Sequence, residues 1–187
     1  MRIGSGKWKG RSLAAPPGKS TRPTSDRARQ AVFNILAHSD FAVDLDGRRV
    51  IDLFAGTGAL GFEALSRGAG FCLFVETDEA ARGALRETIE AFGLFGATRL
   101  HRRDATDLGQ RLASAGAAFH LAFVDPPYHL GLAEKALAGL RDGGWLDAGA
   151  LCVVERAADE GDLAVEGFDM LDARTYGVAR VSFLRFG

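Results

Sequence analysis

The tetrapeptide Asp125-Pro126-Pro127-Tyr128 carries the groups that would activate a planar exocyclic amine. The lone pair of such an amine is delocalised into its ring. A carboxylate and a carbonyl that each accept one N–H shift the nitrogen towards tetrahedral geometry and aim its lone pair outward. Asp125 supplies the carboxylate and Pro126 supplies the carbonyl, while the two prolines fix φ and remove competing N–H donors. The sequence therefore predicts a site that acts on an amino group.

Tyr128 adds an aromatic face on which a base turned out of its stack can lie, a contact worth about 1–3 kcal/mol. The tetrapeptide follows the apolar residues 121–124, which predict a buried strand. The alternative interpretation is a proline-rich turn between a strand and a helix, with Asp125 as the helix cap. His129 either lines the same base pocket or starts the next helix as an exposed residue.

A glycine-rich turn lies earlier in the chain. Gly56, Gly58 and Gly61 match the pattern G-x-G-x-x-G, which lets a ligand approach the backbone in front of a helix N-terminus. Glu76 closes the next apolar run, where a carboxylate can accept hydrogen bonds from both hydroxyls of a ribose. A plain tight turn with glycines chosen for packing is the alternative.

Asp52, at the end of the strand before this turn, favours one nucleotide cofactor over another. A dinucleotide would place its pyrophosphate against the turn, and the Asp52 carboxylate would repel it. The sulfonium and amino groups of S-adenosylmethionine are positive and suit Asp52 better. Asp104 follows the third predicted strand, where its side chain and the Ala105 backbone could meet the adenine amino group; capping a following helix is an equal alternative.

Positioning these residues requires an alternation of strands and helices. We predict helices at 24–38, 58–67, 78–92, 106–114 and 130–140, and strands at 50–54, 71–76, 98–102, 120–124 and 150–155. Residues 169–175 and 178–186 predict two further strands, which are joined tightly at Tyr176-Gly177. The fold class is α/β: a doubly wound, seven-stranded mixed sheet with a C-terminal β-hairpin.

The net charge of −1 hides an uneven distribution. Residues 1–31 carry +7 and the remainder −8, which suggests a polyanionic partner for the basic segment. We divide the chain into a basic arm at 1–24, read as a short hairpin or loose arm, and a catalytic domain at 25–187. The candidate residues for binding the polyanion are Lys7, Trp8, Lys9, Arg11, Arg22 and Arg27.

These candidates have plainer alternatives. The arm could be a solvated tail, and Trp8 could pack it onto the body instead of stacking on a base. Arg27 and Arg29 do not share one helix face, so we expect only one to point at the active site, and we favour Arg27.

The composition narrows the class of protein. With 187 residues, 47% of them hydrophobic, the chain fits one globular domain. No apolar run could span a bilayer and no secretory signal is visible, so we expect a cytoplasmic protein. Cys72 and Cys152 sit in apolar runs and predict buried thiols, and no metal site is expected.

The chain resembles the class I S-adenosylmethionine-dependent methyltransferases that carry a [DN]-P-P-[YF] motif. It is more closely similar to the bacterial 16S rRNA (guanine-N2) methyltransferases of the RsmD type. The segments that carry this resemblance are residues 6–11, 22–29, 52–61, 63–69, 124–128 and 144–146, which include the string RPTSDR. Residues 157–168 match little beyond the general pattern.

The resemblance implies methyl transfer from S-adenosylmethionine to N2 of one guanine in 16S rRNA, on assembled or nearly assembled small subunits. We expect a monomer, since nothing in the sequence demands a dimer, and no metal, because in-line methyl transfer needs positioning more than a metal. The resemblance implies that the basic arm at 1–24 binds rRNA phosphates. It also implies roles for two sets of residues. The cofactor-binding set is Asp52, Phe54, Gly56, Gly58, Glu76, Thr77, Asp104 and Ala105, and the catalytic set is Asp125, Pro126, Pro127 and Tyr128.

Three rival functions stay open at this point. A DNA adenine or cytosine amino-methyltransferase would use the same DPPY chemistry, although the chain leaves no room for a target-recognition domain. An NAD-dependent oxidoreductase is supported only by G-x-G-x-x-G. A binding factor for ribosome assembly would keep the fold without methyl transfer.

Overall fold

The computed structural model describes residues 1–18 and 24–187, with Thr24 and Ser25 described by their backbone alone. The helices are α1 (Thr24–His38), α2 (Ala59–Ser66), α3 (Glu79–Phe92) and α4 (Leu132–Asp142). The strands are β1 (Arg49–Leu53), β2 (Phe71–Val75), β3 (Thr98–His101), β4 (Phe119–Val124), β5 (Leu146–Ala157), β6 (Phe168–Tyr176) and β7 (Ala179–Phe186).

The strands form one seven-stranded sheet in the order β3-β2-β1-β4-β5-β7-β6. The pairs from β3 through β5 are parallel, and β7 is antiparallel to both β5 and β6. This is the mixed sheet with a C-terminal hairpin that the sequence predicted. The strand order reverses between β1 and β4, and in open α/β sheets ligands bind at such a point, beyond the carboxyl ends of the strands.

Apolar cores cover both faces of the sheet. On one face, α1, α2 and α3 pack around Phe33, Phe62 and Phe123, each at most 1% exposed. On the other, α4 packs with Phe119 and Trp145. Burial on both sides explains why the parallel strands are short apolar runs without polar alternation.

The segment between β3 and β4 differs from the prediction. The helix expected at 106–114 does not form; the segment is a series of turns with a short 3₁₀ helix at Ala113–Ala115. Asp104 Oδ1 accepts hydrogen bonds from the N and the Oγ1 of Thr106, at 2.8 and 2.7 Å. This local side-chain bonding, with Gly109 at a φ of 64°, favours turns over a helix.

Residues 1–14 of the N-terminal arm are not loose. Arg2 and Ser12 form an antiparallel bridge, and the turn between them is tied to the end of α2. Ser66 makes this connection, because its carbonyl accepts from Lys7 N at 2.8 Å and its Oγ accepts from Trp8 N at 2.9 Å. The arm is therefore a short hairpin-like segment held against the body.

Candidate active site

An open cavity lies where the carboxyl ends of β1, β4 and β5 meet α1. Its volume is about 810 Å³, including the solvent at its mouth. We call it the strand-end cavity. The side chains that matter for its chemistry are Arg29, Asp52, Phe54, Asp125 and Glu155. Two separate predicted motifs, the glycine turn and the DPPY segment, therefore face the same space.

The glycine turn leads from β1 into α2 with little room for side chains. Gly58 has a φ of 76°, and a Cβ there would lie 2.5 Å from Leu85 Cδ2. A Cβ on Gly61 would lie 2.4 Å from Phe74 Cε1. Glycine is required at both positions, and the tight turn leaves the backbone of residues 54–57 on the cavity wall.

Asp52 lies at the floor of the strand-end cavity and is 2% exposed. Its Oδ2 accepts a hydrogen bond from Gly61 N at 3.0 Å, which fixes the carboxylate. Burial raises the pKa of Asp52 well above its ordinary value, and the neighbouring charges of Asp125 and Glu76 raise this pKa further. A ligand with a positive charge beside Asp52 would favour its ionised form.

Glu76 follows β2 and joins the two sides of the turn. Its Oε2 accepts from Gly56 N and its Oε1 accepts from Asp78 N, both at 2.8 Å. Backbone donors thus orient the carboxylate, and each oxygen retains a lone pair for a hydroxyl donor. The position is the one at which a carboxylate meets a ribose in sheets of this kind.

The other cofactor candidates follow the ends of β2 and β3. Thr77 is exposed, and Ala105 is 4% exposed. Asp104 is exposed, and its hydrogen bonds from Thr106 lower its pKa. The helix-cap interpretation of Asp104 is wrong, because no helix follows it.

The carboxylates at the carboxyl ends of β1 and β2 fit S-adenosylmethionine. A buried carboxylate with a raised pKa, Asp52, suits a cationic group, and an oriented carboxylate, Glu76, suits a ribose diol. A dinucleotide would instead bring its pyrophosphate against the Asp52 carboxylate. The residues present therefore fit the sulfonium cofactor.

The replacement Asp52→Asn tests this electrostatic fit. A raised pKa in the folded protein means that the contribution of Asp52 to stability is complete below its unfolded pKa and is lost as pH rises through the folded value. We expect Asp52→Asn to raise the melting temperature of the ligand-free protein at pH 7.5. The rise should be about 2–4 °C for each kcal/mol by which the replacement increases the free energy of unfolding. We also expect roughly tenfold weaker binding of S-adenosylmethionine.

Thermal scans and titration calorimetry between pH 5 and pH 8.5 (roughly the working range of a folded protein) check both effects. The wild type should bind S-adenosylmethionine more tightly as pH rises through the raised pKa of Asp52, and Asp52→Asn should not. A variant that binds as tightly as the wild type at every pH would contradict the assignment.

The DPPY segment leaves β4 at the cavity. Val124 of β4 pairs with Leu53 of β1 on one side and with Val154 of β5 on the other. Asp125 and Glu155 each follow one member of the Val124–Val154 pair directly in sequence. Both line the strand-end cavity. Pro126 is buried and Pro127 is exposed, as expected where the chain turns away from the sheet.

Tyr128 connects the DPPY segment to β5. Its hydroxyl donates a hydrogen bond to Glu155 Oε1 at 2.6 Å. The sequence analysis did not single out Glu155. The available signal was its position, directly after the apolar run Leu151–Val154, which matches the position of Asp125 after its own apolar run.

The preference for Arg27 over Arg29 is not what the structure shows. Arg29 lines the strand-end cavity and is 5% exposed, whereas Arg27 lines a separate pocket with Thr175 and Tyr176. Arg29 Nε lies 3.6 Å from Oε2 of the fully buried Glu63 in α2, and its Nη2 donates to the Arg2 carbonyl at 2.6 Å. These contacts draw Arg29 inward. Arg22 lies outside the described residues.

His129 is not among the residues that line the strand-end cavity. It adopts a φ of 64°, and its Nε2 lies 2.8 Å from Asp159 Oδ1 on the loop after β5. The hydrogen bond to Asp159 raises the pKa of His129. Its exposed position favours the plainer of the two interpretations.

The arm presents its cations on the outside. Lys7 and Lys9 are exposed, with Lys7 Nζ 5.3 Å from the centre of the Trp8 ring. Trp8 is partly buried against Phe92, at 5.6 Å between ring centres, which supports its packing role. Arg11 stacks on Phe92 at 4.0 Å and donates to a backbone carbonyl of α3, so it anchors the arm.

Two features are absent from the described part of the chain. Across residues 1–18 and 24–187, no helix is both long and apolar enough to cross a membrane. Over the same ranges, no three His, Cys, Asp or Glu side chains are grouped as metal ligands would be. The expected absence of a metal stays a prediction.

The sheet order and the strand-end cavity are those of a class I methyltransferase. A solved structure described as a putative methyltransferase yhhF from Escherichia coli superimposes with a TM-score of 0.84 at 30% identity, covering 100% of this chain and 97% of that one. The structural comparison therefore agrees with the fold class that the sequence predicted.

The family follows from comparisons of sequence. The family model described as "Conserved hypothetical protein 95" matches residues 1–185. Ribosomal RNA small subunit methyltransferase D of Escherichia coli K12 is 38% identical over 161 residues, 86% of this chain and 77% of that protein. The putative rRNA methyltransferase YlbH of Bacillus subtilis is 41% identical over 128 residues, 68% of this chain and 67% of that one. The chain belongs to this family, the RsmD type.

Proposed function

We propose that this protein transfers a methyl group from S-adenosylmethionine to the exocyclic N2 of a guanine in small-subunit (16S) rRNA. One observation carries the proposal: Asp125, the carboxylate of the DPPY segment, and Asp52, the buried carboxylate beside the glycine turn, line one cavity. An amine acceptor and a cationic methyl donor can therefore meet there. The relatives named as rRNA methyltransferases support RNA as the substrate.

The cofactor side of the site holds and orients the donor. S-adenosylmethionine, when bound, supplies a methyl group on a positively charged sulphur. Asp52 would attract that charge, Glu76 would accept from the ribose hydroxyls, and the backbone from Phe54 to Gly58 would lie against the ligand. Thr77, Asp104 and Ala105 would face its adenosine portion.

The substrate side prepares the amine. Asp125 would accept one N2–H and the Pro126 carbonyl the other, which turns the nitrogen lone pair towards the methyl group. Tyr128 would stack on the base, and Pro127 would hold the turn rigid. Methyl transfer is an in-line displacement, so positioning and exclusion of water supply most of the acceleration.

Binding of the rRNA backbone would fall to the exposed cations. Lys7 and Lys9 are displayed on an arm that is itself docked, and Arg27 lies beside the β6–β7 turn. Arg11 and Trp8 would contribute mainly by holding the arm in place, and Arg22 would extend the basic segment. A body this small offers few contacts of its own, so we infer that the assembled or nearly assembled subunit is the preferred substrate.

Label transfer from methyl-labelled S-adenosylmethionine tests the proposal. Unmodified small subunits, naked 16S rRNA and duplex DNA should be compared side by side. We expect label in the subunits, less in naked rRNA and none in DNA. Label in DNA alone would make the amino-methyltransferase of DNA correct, and tight cofactor binding without label in any substrate would favour a binding factor.

A further inference from the structure

Glu155 is placed for direct contact with the target base. It follows Val154, which pairs with Val124, so Glu155 and Asp125 are the residues directly beyond the last pair in the parallel register of β4 and β5. Both side chains line the strand-end cavity. Neighbouring strands are about 4.8 Å apart, so two carboxylates side by side can meet adjacent groups on one edge of a purine.

The Tyr128 hydroxyl fixes the position of Glu155. It donates to Glu155 Oε1 at 2.6 Å, the length of a short hydrogen bond to a carboxylate. A carboxylate can accept about four hydrogen bonds, so this contact leaves Oε2 and part of Oε1 available. Glu155 is thus held next to the aromatic ring on which the base would stack.

The two carboxylates match the edge of one base. Guanine presents two adjacent donors, N1–H and N2–H, whereas the N1 of adenine is an acceptor. The cofactor candidates follow β1 and β2 on one side of β4, and β5 lies on the other side. A base with its N2 at Asp125 would therefore have its N1 on the side of β5, away from the cofactor. A carboxylate at this position attracts an N1–H and repels an N1 lone pair.

We propose that Glu155 is the residue that selects guanine, by accepting a hydrogen bond from its N1–H. This inference rests on the proposed function of the site. It assigns recognition of the base to β5 and activation of the amine to β4. It also gives Tyr128 two roles: its ring stacks on the base, and its hydroxyl orients Glu155.

The test compares two bases at the target position of otherwise identical reconstituted small subunits. One is guanine; the other is 2-aminopurine, which keeps the amino group but has an acceptor at N1. Wild-type protein should prefer guanine by roughly 100-fold in kcat/KM, since a site built to accept a hydrogen bond discriminates strongly against a base that lacks the donor.

Glu155→Gln should reduce this preference to about fivefold or less, because its amide can donate to the N1 of 2-aminopurine. Its kcat/KM on guanine should fall by roughly tenfold to 100-fold, because the Tyr128 hydroxyl engages the amide oxygen and leaves the amide nitrogen, which cannot accept a hydrogen bond, facing N1–H. Unchanged melting temperature and unchanged affinity for S-adenosylmethionine would show that the variant is folded.

Two controls separate recognition from support of the ring. Tyr128→Phe removes the hydroxyl that holds Glu155 but keeps the stacking face. If Glu155 only held Tyr128, both variants would slow both bases equally and keep the 100-fold preference, roughly as in the wild type; that result would overturn the inference. Glu87→Gln, on the exposed side of α3, makes the same charge change elsewhere and should behave as the wild type.

The two proposals fail in different ways. Wild-type protein that transfers no methyl group to guanine-containing subunits would overturn the proposed function and, with it, this inference. Wild-type protein that methylates guanine, with Glu155→Gln keeping the full preference, would overturn the role of Glu155 alone.

Discussion

Asp125→Ala is expected to reduce kcat by about 10²–10³-fold, the usual cost of removing one preorganised hydrogen-bonding group from an active site. Without the carboxylate, nothing in the DPPY segment but the Pro126 carbonyl would accept an N–H of the target amine, and its lone pair would stay delocalised. Binding of S-adenosylmethionine should not weaken. The charge of Asp125 raises the pKa of Asp52, so its removal favours the ionised Asp52 that attracts the cofactor.

Asp125→Asn is the matched comparison. The amide oxygen can still accept an N–H, so we expect this variant to keep activity within roughly tenfold of the wild type. Single-turnover rates with saturating cofactor measure the chemical step directly. Asp125→Ala that retains near-wild-type rates would contradict the assigned role. Equal inactivity of both variants would point to the negative charge of Asp125 instead of its acceptor geometry.

The double replacement Lys7→Glu with Lys9→Glu is expected to weaken binding to unmodified small subunits by roughly 100-fold at 0.1 M salt. Both side chains are exposed on an arm whose backbone is tied to Ser66, so the replacement changes charge and leaves these backbone contacts in place, while the contact of Lys7 with the Trp8 ring is lost. If each lysine neutralises one phosphate, the slope of log K against log salt should become shallower by about 1.4–1.8.

Arg48→Glu with Arg185→Glu provides the control. These side chains are exposed at the opposite end of the parallel strands, beside a separate pocket, and the double replacement makes the same change in net charge. We expect little change in the affinity or the salt slope. Equal weakening by the two double variants would show that overall charge, and not the arm, governs binding to the subunit.

Local sequence patterns were sufficient for most of the fold. The apolar runs around Val50–Leu53 and Leu121–Val124 predicted buried parallel strands. The helix predicted at 78–92 forms as α3, and Asp78 caps it by accepting from Ala81 N on Oδ2 at 2.9 Å. The two site motifs were found for the same reason. Each follows a strand end directly, and the carboxyl ends of parallel strands meet at one edge of the sheet.

Contacts between distant segments were harder to predict. Arg27 was preferred to Arg29 because the inward partners of Arg29, Glu63 and the Arg2 carbonyl, lie on α2 and on the arm, and no periodicity reveals how these segments dock against α1. Glu155 was missed because its importance comes from pairing β5 with β4, not from a motif. The helix expected at 106–114 failed because Asp104 and Gly109 favour turns more strongly than the apolar spacing favours a helix.

The central claim concerns one atom, the exocyclic N2 of guanine, and identification of the methylated nucleoside tests it most directly. Unmodified small subunits would be treated with the wild-type protein and S-adenosylmethionine, and their 16S rRNA digested to nucleosides and analysed by mass spectrometry against standards. We predict N2-methylguanosine, formed about 10²–10³-fold more slowly with Asp125→Ala. Methylation at a ring nitrogen, on ribose or on adenine would contradict the account, because none of these groups presents the exocyclic guanine amine that Asp125 and Pro126 are placed to receive.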